Sequence, residues 1–155
     1  LPASSAASDV YKRQTMNHGE LFTAFLIDLQ RIFRTEVVPK NLSYSQVLAI
    51  IIIPNDGIEM SELARTLGLE NSTVTRLIAR LERNNYVTRK KSEADKRSIN
   101  VFLDQKGSML QTDIEKKIDK IGDQIFLKNN QAEKELFLEN LSLFQWSLKK
   151  TSLKK

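Results

Sequence analysis

The cationic side chains of this chain are concentrated in one stretch, residues 71–106. That stretch holds nine lysines and arginines against four carboxylates, a net charge of +5, and the rest of the chain is neutral. A basic excess confined to a short stretch is typical of a surface that binds a polyanion. A solvated patch without a partner would have the same composition, so charge alone leaves both interpretations open.

The first part of this stretch, residues 71–83, has the pattern of an amphipathic helix. Apolar residues at i, i+3, i+4 and i+7 predict one buried face: Val74, Leu77, Ile78 and Leu81. The opposite face has hydroxyl and cationic side chains and no acid: Ser72, Thr73, Thr75, Arg76, Arg80 and Arg83. Hydroxyls and backbone amides in the first turn of a helix can donate hydrogen bonds to phosphate oxygens. Thr75 and Arg76 are best placed to read base edges. An ordinary exposed amphipathic helix is the alternative.

Catalytic and metal chemistry have little support in the composition. The chain has no cysteine and a single histidine, His18, which argues against thiolate chemistry, disulfides and a zinc centre. Asp119 and Asp123 lie one helical turn apart, a spacing that could suit paired acid–base work, but neighbouring lysines make i, i+4 ion pairs the simpler account. We therefore expect no enzyme, no metal site and no cofactor.

The elements that must position the basic face are a preceding helix, a tight turn and a hairpin. With Ser61 as its N-cap, a helix is predicted over residues 62–67, ending at Gly68. The 71–83 helix follows, and Asn84-Asn85 can supply the left-handed residue that ends it. Alternating runs predict strands over 87–91 and 98–103, joined by a polar tip. This order predicts a winged helix-turn-helix, whose second helix fits a major groove.

Helices are also predicted on both sides of this lobe. A doubled apolar stripe runs from Leu21 to Phe33, and the helix should end before Pro39. A capping box of Ser43 and Gln46 begins a second helix that runs to about residue 53. Two further helices are predicted, one with an apolar stripe over 110–125 and one from about residue 132. Their apolar surface exceeds what the winged lobe could cover, which favours a homodimer over a self-contained helical lobe.

These elements predict a fold that is mainly α with a small β-wing. The predicted organisation is an N-terminal dimerisation helix (16–40), a winged helix-turn-helix lobe (41–104), and C-terminal dimerisation helices with a basic tail (105–155). Residues 1–15 resemble translated cloning or adapter sequence, and we expect a non-native or disordered tail there. No apolar run approaches the ~20 residues of a membrane span, so we expect a cytoplasmic protein with no membrane partner.

Five segments of the chain carry a resemblance to a known family. They are Met60–Leu69, Ser72–Ile78, Leu81–Val87, the wing signature Asp95-Lys96-Arg97-Ser98, and Leu103–Gly107. Together they resemble the MarR-type transcriptional regulators, and the similarity extends in helix order over residues 16–150. One departure is Asn84-Asn85, where the family usually has a glycine; asparagine tolerates the left-handed conformation needed there.

The resemblance implies a bacterial homodimer that binds double-stranded DNA at a pseudo-palindromic operator, most often as a repressor, with a small-molecule effector as a further candidate partner. It also implies that Arg97, oriented by Asp95, enters the minor groove from the wing tip; a plain hairpin salt bridge is the alternative. The DNA-binding residues expected from the helix face and the wing are Ser72, Thr73, Thr75, Arg76, Arg80, Arg89, Lys91, Asp95, Lys96 and Arg97.

Two other functions fit the same pattern. One is a winged-helix module whose basic patch meets an acidic protein, and the other is an architectural protein that binds DNA without sequence preference. All three would show steep salt dependence, but only a sequence-specific regulator would prefer one DNA sequence over another.

Overall fold

The computed structural model of the chain describes residues 17–92 and 97–152. Six α-helices and three short strands follow in the order α1 (His18–Ile32), α2 (Tyr44–Ile52), β1 (Ile58–Glu59), α3 (Met60–Leu67), α4 (Asn71–Arg83), β2 (Val87–Lys91), β3 (Ile99–Leu103), α5 (Gln105–Ile125) and α6 (Gln131–Ser152). A π-helical turn, Phe33–Val37, continues α1. The described residues are about 70% helical, which confirms the predicted fold class.

The described residues fall into two compact units, one ending at Ile114 and the other beginning at Glu115. The expected tail, residues 1–15, lies outside the described ranges, as do the wing residues Asp95 and Lys96. The functional division at residues 40 and 104 remains a prediction.

The three strands form one small antiparallel sheet with β3 in the centre. Residue Val101 of β3 is opposite Ile58 on one side and opposite Arg89 on the other. Strands β2 and β3 therefore form the hairpin predicted from the alternating runs, and β1 attaches the hairpin to the start of α3.

The core of the first unit lies under the helix-turn-helix. Helices α2, α3, α4 and α5 each contribute side chains with no solvent exposure, among them Ile50, Leu63, Ile78 and Ile114. The predicted inner face of α4 is confirmed, because its four apolar residues are all buried. Since this stripe fixes the rotation of α4 about its axis, the polar face of the helix must point to solvent.

The helix ends follow the sequence signals in most places. Ser43 and Gln46 form the predicted capping box, with the Gln46 amide donating to Ser43 Oγ at 3.3 Å and the Ser43 amide donating to Gln46 Oε1 at 2.8 Å. Gly68 and Asn85 are left-handed, with φ of 64° and 59°. Asparagine thus takes the conformation that ends α4, as predicted.

The predicted start of α3 is wrong. The helix begins at Met60 rather than residue 62, and Glu59, not Ser61, occupies the N-cap position without a side-chain cap bond. The Ser61 hydroxyl donates to the Glu59 carboxylate at 2.6 Å. Because Glu59 is still paired with Asn100 in the sheet, the chain passes from strand to helix with no intervening loop in which Ser61 could serve as a cap.

Two contacts attach the start of α5 to the rest of the first unit. The Gln111 side-chain amide donates to the carbonyl oxygens of Ile50 and Ile53, at 2.8 and 3.0 Å, and so satisfies the C-terminal end of α2. Gly107 is buried in the first turn of α5, where a Cβ would overlap the carbonyl oxygen of Tyr86. The same carbonyl oxygen accepts a hydrogen bond from the Asp104 amide at 3.0 Å. The backbone at the start of α5 is therefore in direct contact with the backbone of Tyr86.

Helix α1, in the first unit, exposes a large apolar surface. None of its residues is buried, and its exposed apolar side chains are Leu21, Phe22, Phe25, Leu26, Ile27 and Leu29. The doubled stripe seen in the sequence is therefore exposed from Leu21 to Leu29, while Ile32 and Phe33 at its end are half-buried.

Helix α6, in the second unit, also exposes apolar side chains along its length. They are Leu136, Phe137, Leu138, Leu141, Leu143, Trp146 and Leu148. Within this unit Phe137 packs edge-to-face on Phe126, with ring centroids 4.9 Å apart. Across the described residues, neither these helices nor any other is long and apolar enough to cross a membrane.

Candidate nucleic-acid interface

The outer face of α4 presents the predicted set of polar side chains to solvent. The stripe beneath it is buried, and the first turn of the helix carries no acid. The exposed members of the predicted set on this face are Ser72, Thr73, Thr75, Arg76 and Arg80. The structure thus brings together on one surface the five residues of α4 that were predicted to bind DNA, and Arg83, the sixth residue of this face, is exposed as well.

The side chains on this face have defined hydrogen-bonding capacity. The Thr75 hydroxyl donates to the Asn71 carbonyl oxygen at 2.8 Å, which leaves the Thr75 oxygen available as an acceptor. Arg76 Nε donates to the Ser72 carbonyl oxygen at 3.4 Å, so the terminal nitrogens of the guanidinium extend beyond the helix as donors. Neighbouring acceptor and donor groups of this kind match the edge patterns of base pairs.

The N-terminal end of α4 is open. Glu70 holds the N-cap position without a side-chain cap bond. Its carbonyl oxygen accepts from the Thr73 amide at 2.9 Å, so it is the amides of Asn71 and Ser72 that can meet an external acceptor. The carboxylate of Glu70 opposes an anion at the same place, and the exposed arginines must therefore supply most of the attraction for a polyanion.

A groove on each side flanks this face. One lies against α2 and is lined by Ser43, Gln46, Thr73, Arg76, Leu77 and Arg80. The other lies between the start of α4 and the wing, and it brings together three of the predicted residues, Thr75, Arg89 and Arg97. The helix face and the wing therefore border one continuous surface.

The wing presents exposed cations beside α4. Lys91 and Arg97 are exposed, while the amine of Lys90 lies over the Phe102 ring, 5.2 Å from its centroid. Asp95 and Lys96 fall in the gap between the two described ranges, so the expected Asp95–Arg97 pair stays a prediction.

Arg89 differs from the other predicted residues because it is paired with an acid on α4. Its Nε and Nη2 both donate to Glu82 Oε2, at 2.9 and 2.6 Å, and its backbone amide donates to Glu82 Oε1 at 3.2 Å. These hydrogen bonds from the Arg89 side chain hold the pKa of the Glu82 carboxyl below its ordinary value of 4.5, against the opposing effect of partial burial. Sequence reasoning missed Glu82, since nothing in the local pattern marks which residue faces it.

The lowered pKa of Glu82 predicts how the pair contributes to stability as pH changes. A carboxyl with a depressed folded-state pKa stabilises the fold above its unfolded pKa, and that contribution is lost as pH falls through the folded value. We expect Glu82→Gln to lower the urea midpoint at pH 7 and to lower it by less at pH 3. Glu62→Gln, in the exposed pair with Arg65 at 3.7 Å, is the control and should have little effect at either pH. A Glu82→Gln deficit that persists undiminished at pH 3 would contradict this ionic role.

A helix-turn-helix followed by a hairpin packed beside its second helix defines the chain as a winged helix-turn-helix protein. Residues 42–99 match the model of the MarR family. The structure is similar to the crystal structure of MarR, with a TM-score of 0.75 at 20% identity over 91% of this chain and 97% of that one. It is also similar to a MarR transcriptional regulator from Methanosarcina mazei Go1, with a TM-score of 0.70 at 25% identity over 84% of this chain and 98% of that one. The match to the MarR family model therefore covers the winged-helix lobe, and the two solved structures share its fold.

Curated relatives are described as transcriptional regulators. The organic hydroperoxide resistance transcriptional regulator of Bacillus subtilis (strain 168) is 30% identical over 94 residues, which is 60% of this chain and 62% of that protein. The HTH-type transcriptional regulator TtmR of Methylorubrum extorquens (strain PA1) is 31% identical over 78 residues, 50% of this chain and 40% of that protein. The chain thus spans less than two thirds of the length of either relative.

Proposed function

We propose that the chain is a sequence-specific DNA-binding regulator of transcription, with α4 in the major groove and the wing, residues 87–103, at the minor groove. The observation that carries the proposal is the exposed, acid-free outer face of α4, held in a fixed rotation by its buried stripe and bordered by a basic wing. A helix of this diameter fits the major groove of B-DNA, which is ~12 Å wide.

The side chains divide into two kinds of contact in this proposal. Arg76 donates to a guanine edge and Thr75 accepts from a base amino group, so these two read sequence. Positioning contacts to phosphate come from Ser72, Thr73, Arg80 and Lys91, and minor-groove contacts from Arg97 with Asp95 and Lys96 beside it.

The relatives support the proposed role in regulating transcription. The curated ones are transcriptional regulators, and FabT of Streptococcus pneumoniae, solved in complex with DNA, has a TM-score of 0.69 at 21% identity over 91% of this chain and 99% of that one. By analogy we propose a cytoplasmic repressor of bacterial type whose operator affinity a small molecule adjusts. The absence of cysteine from the sequence argues that such a signal would not be oxidation of a thiol.

We further propose that the chain acts as a homodimer in which a second copy covers the apolar surfaces of α1 and α6. The exposed side chains include Leu26 at 57% and Trp146 at 56%, and a surface of this extent is typical of an interface. Two copies related by a two-fold axis would present two α4 helices to a pseudo-palindromic site.

The dimer predicts a clear response to substitution on α1. We expect the parent to sediment as a dimer at micromolar concentration and Leu26→Glu to shift it towards monomer, because a charge would be buried without a partner. Lys40→Glu, an exposed change beyond the helix, is the control and should leave the mass unchanged. A parent that sediments as a monomer would refute the proposed assembly.

Selection from a random duplex pool tests the function itself. The purified protein is mixed with the pool at two salt concentrations, and the bound DNA is sequenced. The proposal predicts a two-fold symmetric motif with half-sites about one helical turn apart. Salt-sensitive binding without an enriched motif would support the architectural function instead, and failure to bind DNA would support an acidic protein partner.

A further inference from the structure

We propose that the ion pair between Glu82 and Arg89 is the positioning device that fixes the wing against the recognition helix. In this account Arg89 acts on DNA recognition through Glu82 and not by contacting phosphate. The inference rests on the proposed function, and it gives Arg89 a different role from the direct contact expected from the sequence.

The geometry joins two elements at both side chain and backbone. Glu82 lies in the last part of α4 and Arg89 in the middle of β2, and one carboxylate receives two donors from the guanidinium and one from the backbone amide of the same residue. A bond to the backbone amide holds the strand itself, whereas a bond to the side chain alone would leave the strand free to shift. The pair therefore fixes where β2 lies along α4.

The register of the sheet explains why Arg89 faces inward. Arg89 is opposite Val101, and residues opposite each other in antiparallel strands project from the same face of the sheet. Val101 is fully buried, so the Arg89 side chain lies on the face packed towards α4. Lys91, two residues further along the same face, is exposed.

Arg89 also differs from the other cations of this surface because its charge is neutralised by a carboxylate. Its side chain is 32% exposed and that of Glu82 is 34%, and the two-donor contact neutralises both. A phosphate would have to displace a carboxylate that is already bound through the guanidinium fork. Arg76, Arg80 and Lys91 are exposed, and none of the three forms an ion pair with another described residue.

This placement matters because the groove beside the pair connects the two predicted DNA contacts. Thr75 on α4 and Arg97 on the wing line the groove together with Arg89. A wing that pivots would change the spacing between the major-groove and minor-groove contacts. Preorganised sites lose specificity when their supporting contacts are removed, even though the contacting side chains remain.

Binding to the selected duplex and to a scrambled duplex of equal composition tests the inference, with the ratio of the two affinities as the readout. Glu82→Gln keeps the shape of the side chain and removes its charge, and Arg89→Lys keeps the positive charge and removes the fork. We expect both to lower the ratio about tenfold, comparable to a single mismatched base pair. Thermal melting confirms that each variant is folded at the assay temperature, and the two variants alter the pair from opposite sides.

Lys91→Gln is the matched control on the same face of the same strand. It should weaken binding to both duplexes equally and reduce the salt slope, d log K/d log[salt], by ~0.9, as expected for one lost phosphate contact. Neither Glu82→Gln nor Arg89→Lys should reduce that slope.

Three results would overturn the inference. One is Glu82→Gln tightening binding to both duplexes with the ratio unchanged, because a phosphate-contacting Arg89 would be freed by loss of the carboxylate. The second is Arg89→Lys behaving as the parent, and the third is a salt slope reduced by either substitution. A parent that does not distinguish the duplexes would instead refute the proposed function, so the two failures can be told apart.

Discussion

Replacing Arg76 with alanine is expected to weaken binding of the preferred DNA site by ~1–3 kcal/mol and to relax specificity at one base position. The physical reason is that the guanidinium, anchored through Nε on the Ser72 carbonyl oxygen, extends its terminal donors from the exposed face of α4. Arginine pairs with guanine through two parallel hydrogen bonds, and no other base offers the same two acceptors. Repeating the duplex selection with the variant would show which position loses its preference.

Arg83→Ala provides the matched control for that experiment. Arg83 lies on the same face of α4, two turns further along, and its Nε also donates to a backbone carbonyl oxygen, that of Ala79, at 3.3 Å. Its loss should weaken binding by a similar factor on every sequence, or not at all. If Arg76→Ala also weakens all duplexes equally, Arg76 contacts phosphate and does not read a base.

The largest expected effect on stability comes from Gly107→Ala. A Cβ at this position would overlap the carbonyl oxygen of Tyr86, which is backbone and cannot move aside as a side chain could. Relief requires the start of α5 to move away from Tyr86, at the expense of the bond from the Asp104 amide to the same oxygen. We expect a loss of about 3 kcal/mol or more in the free energy of unfolding. In a chain of this length that corresponds to a fall in Tm of roughly 6–12 °C.

Gly122→Ala tests whether the loss of stability in Gly107→Ala comes from the contact with Tyr86 or from replacing any glycine in this helix. Gly122 lies in the same helix, α5, and a Cβ there would meet nothing within 4 Å. Alanine at a helical position where the added methyl group meets no neighbour should stabilise by about 0.5–1 kcal/mol. Equal melting temperatures for Gly107→Ala and the parent would contradict the close approach of α5 to Tyr86.

Periodicity and local signals predicted most of the fold. The bounds of α4 and β2, the left-handed residues Gly68 and Asn85, and the capping box at Ser43 all follow from sequence neighbours within about one helical turn. The outer face of α4 was predictable for the same reason, because the buried stripe determines which residues face away from the core.

The features that were missed depend on residues far apart in the chain. The start of α3 is set by the pairing of Glu59 with Asn100 in another strand, and the end of α2 is satisfied by Gln111 from α5. The role of Glu82 depends on the packing of β2 against α4. The spacing of residues along the sequence does not predict such long-range contacts. The need for glycine at position 107 likewise becomes clear only when the Tyr86 carbonyl oxygen is seen beside it.

The most direct test of the central claim is the ratio of affinities for the selected duplex and its scrambled counterpart, measured by fluorescence anisotropy at two salt concentrations. A sequence-specific regulator should bind the selected duplex at least about 10³-fold more tightly, with both affinities falling as salt rises. A ratio near one at both salt concentrations, with both affinities still falling steeply, would show that the basic face of α4 binds DNA without reading its sequence.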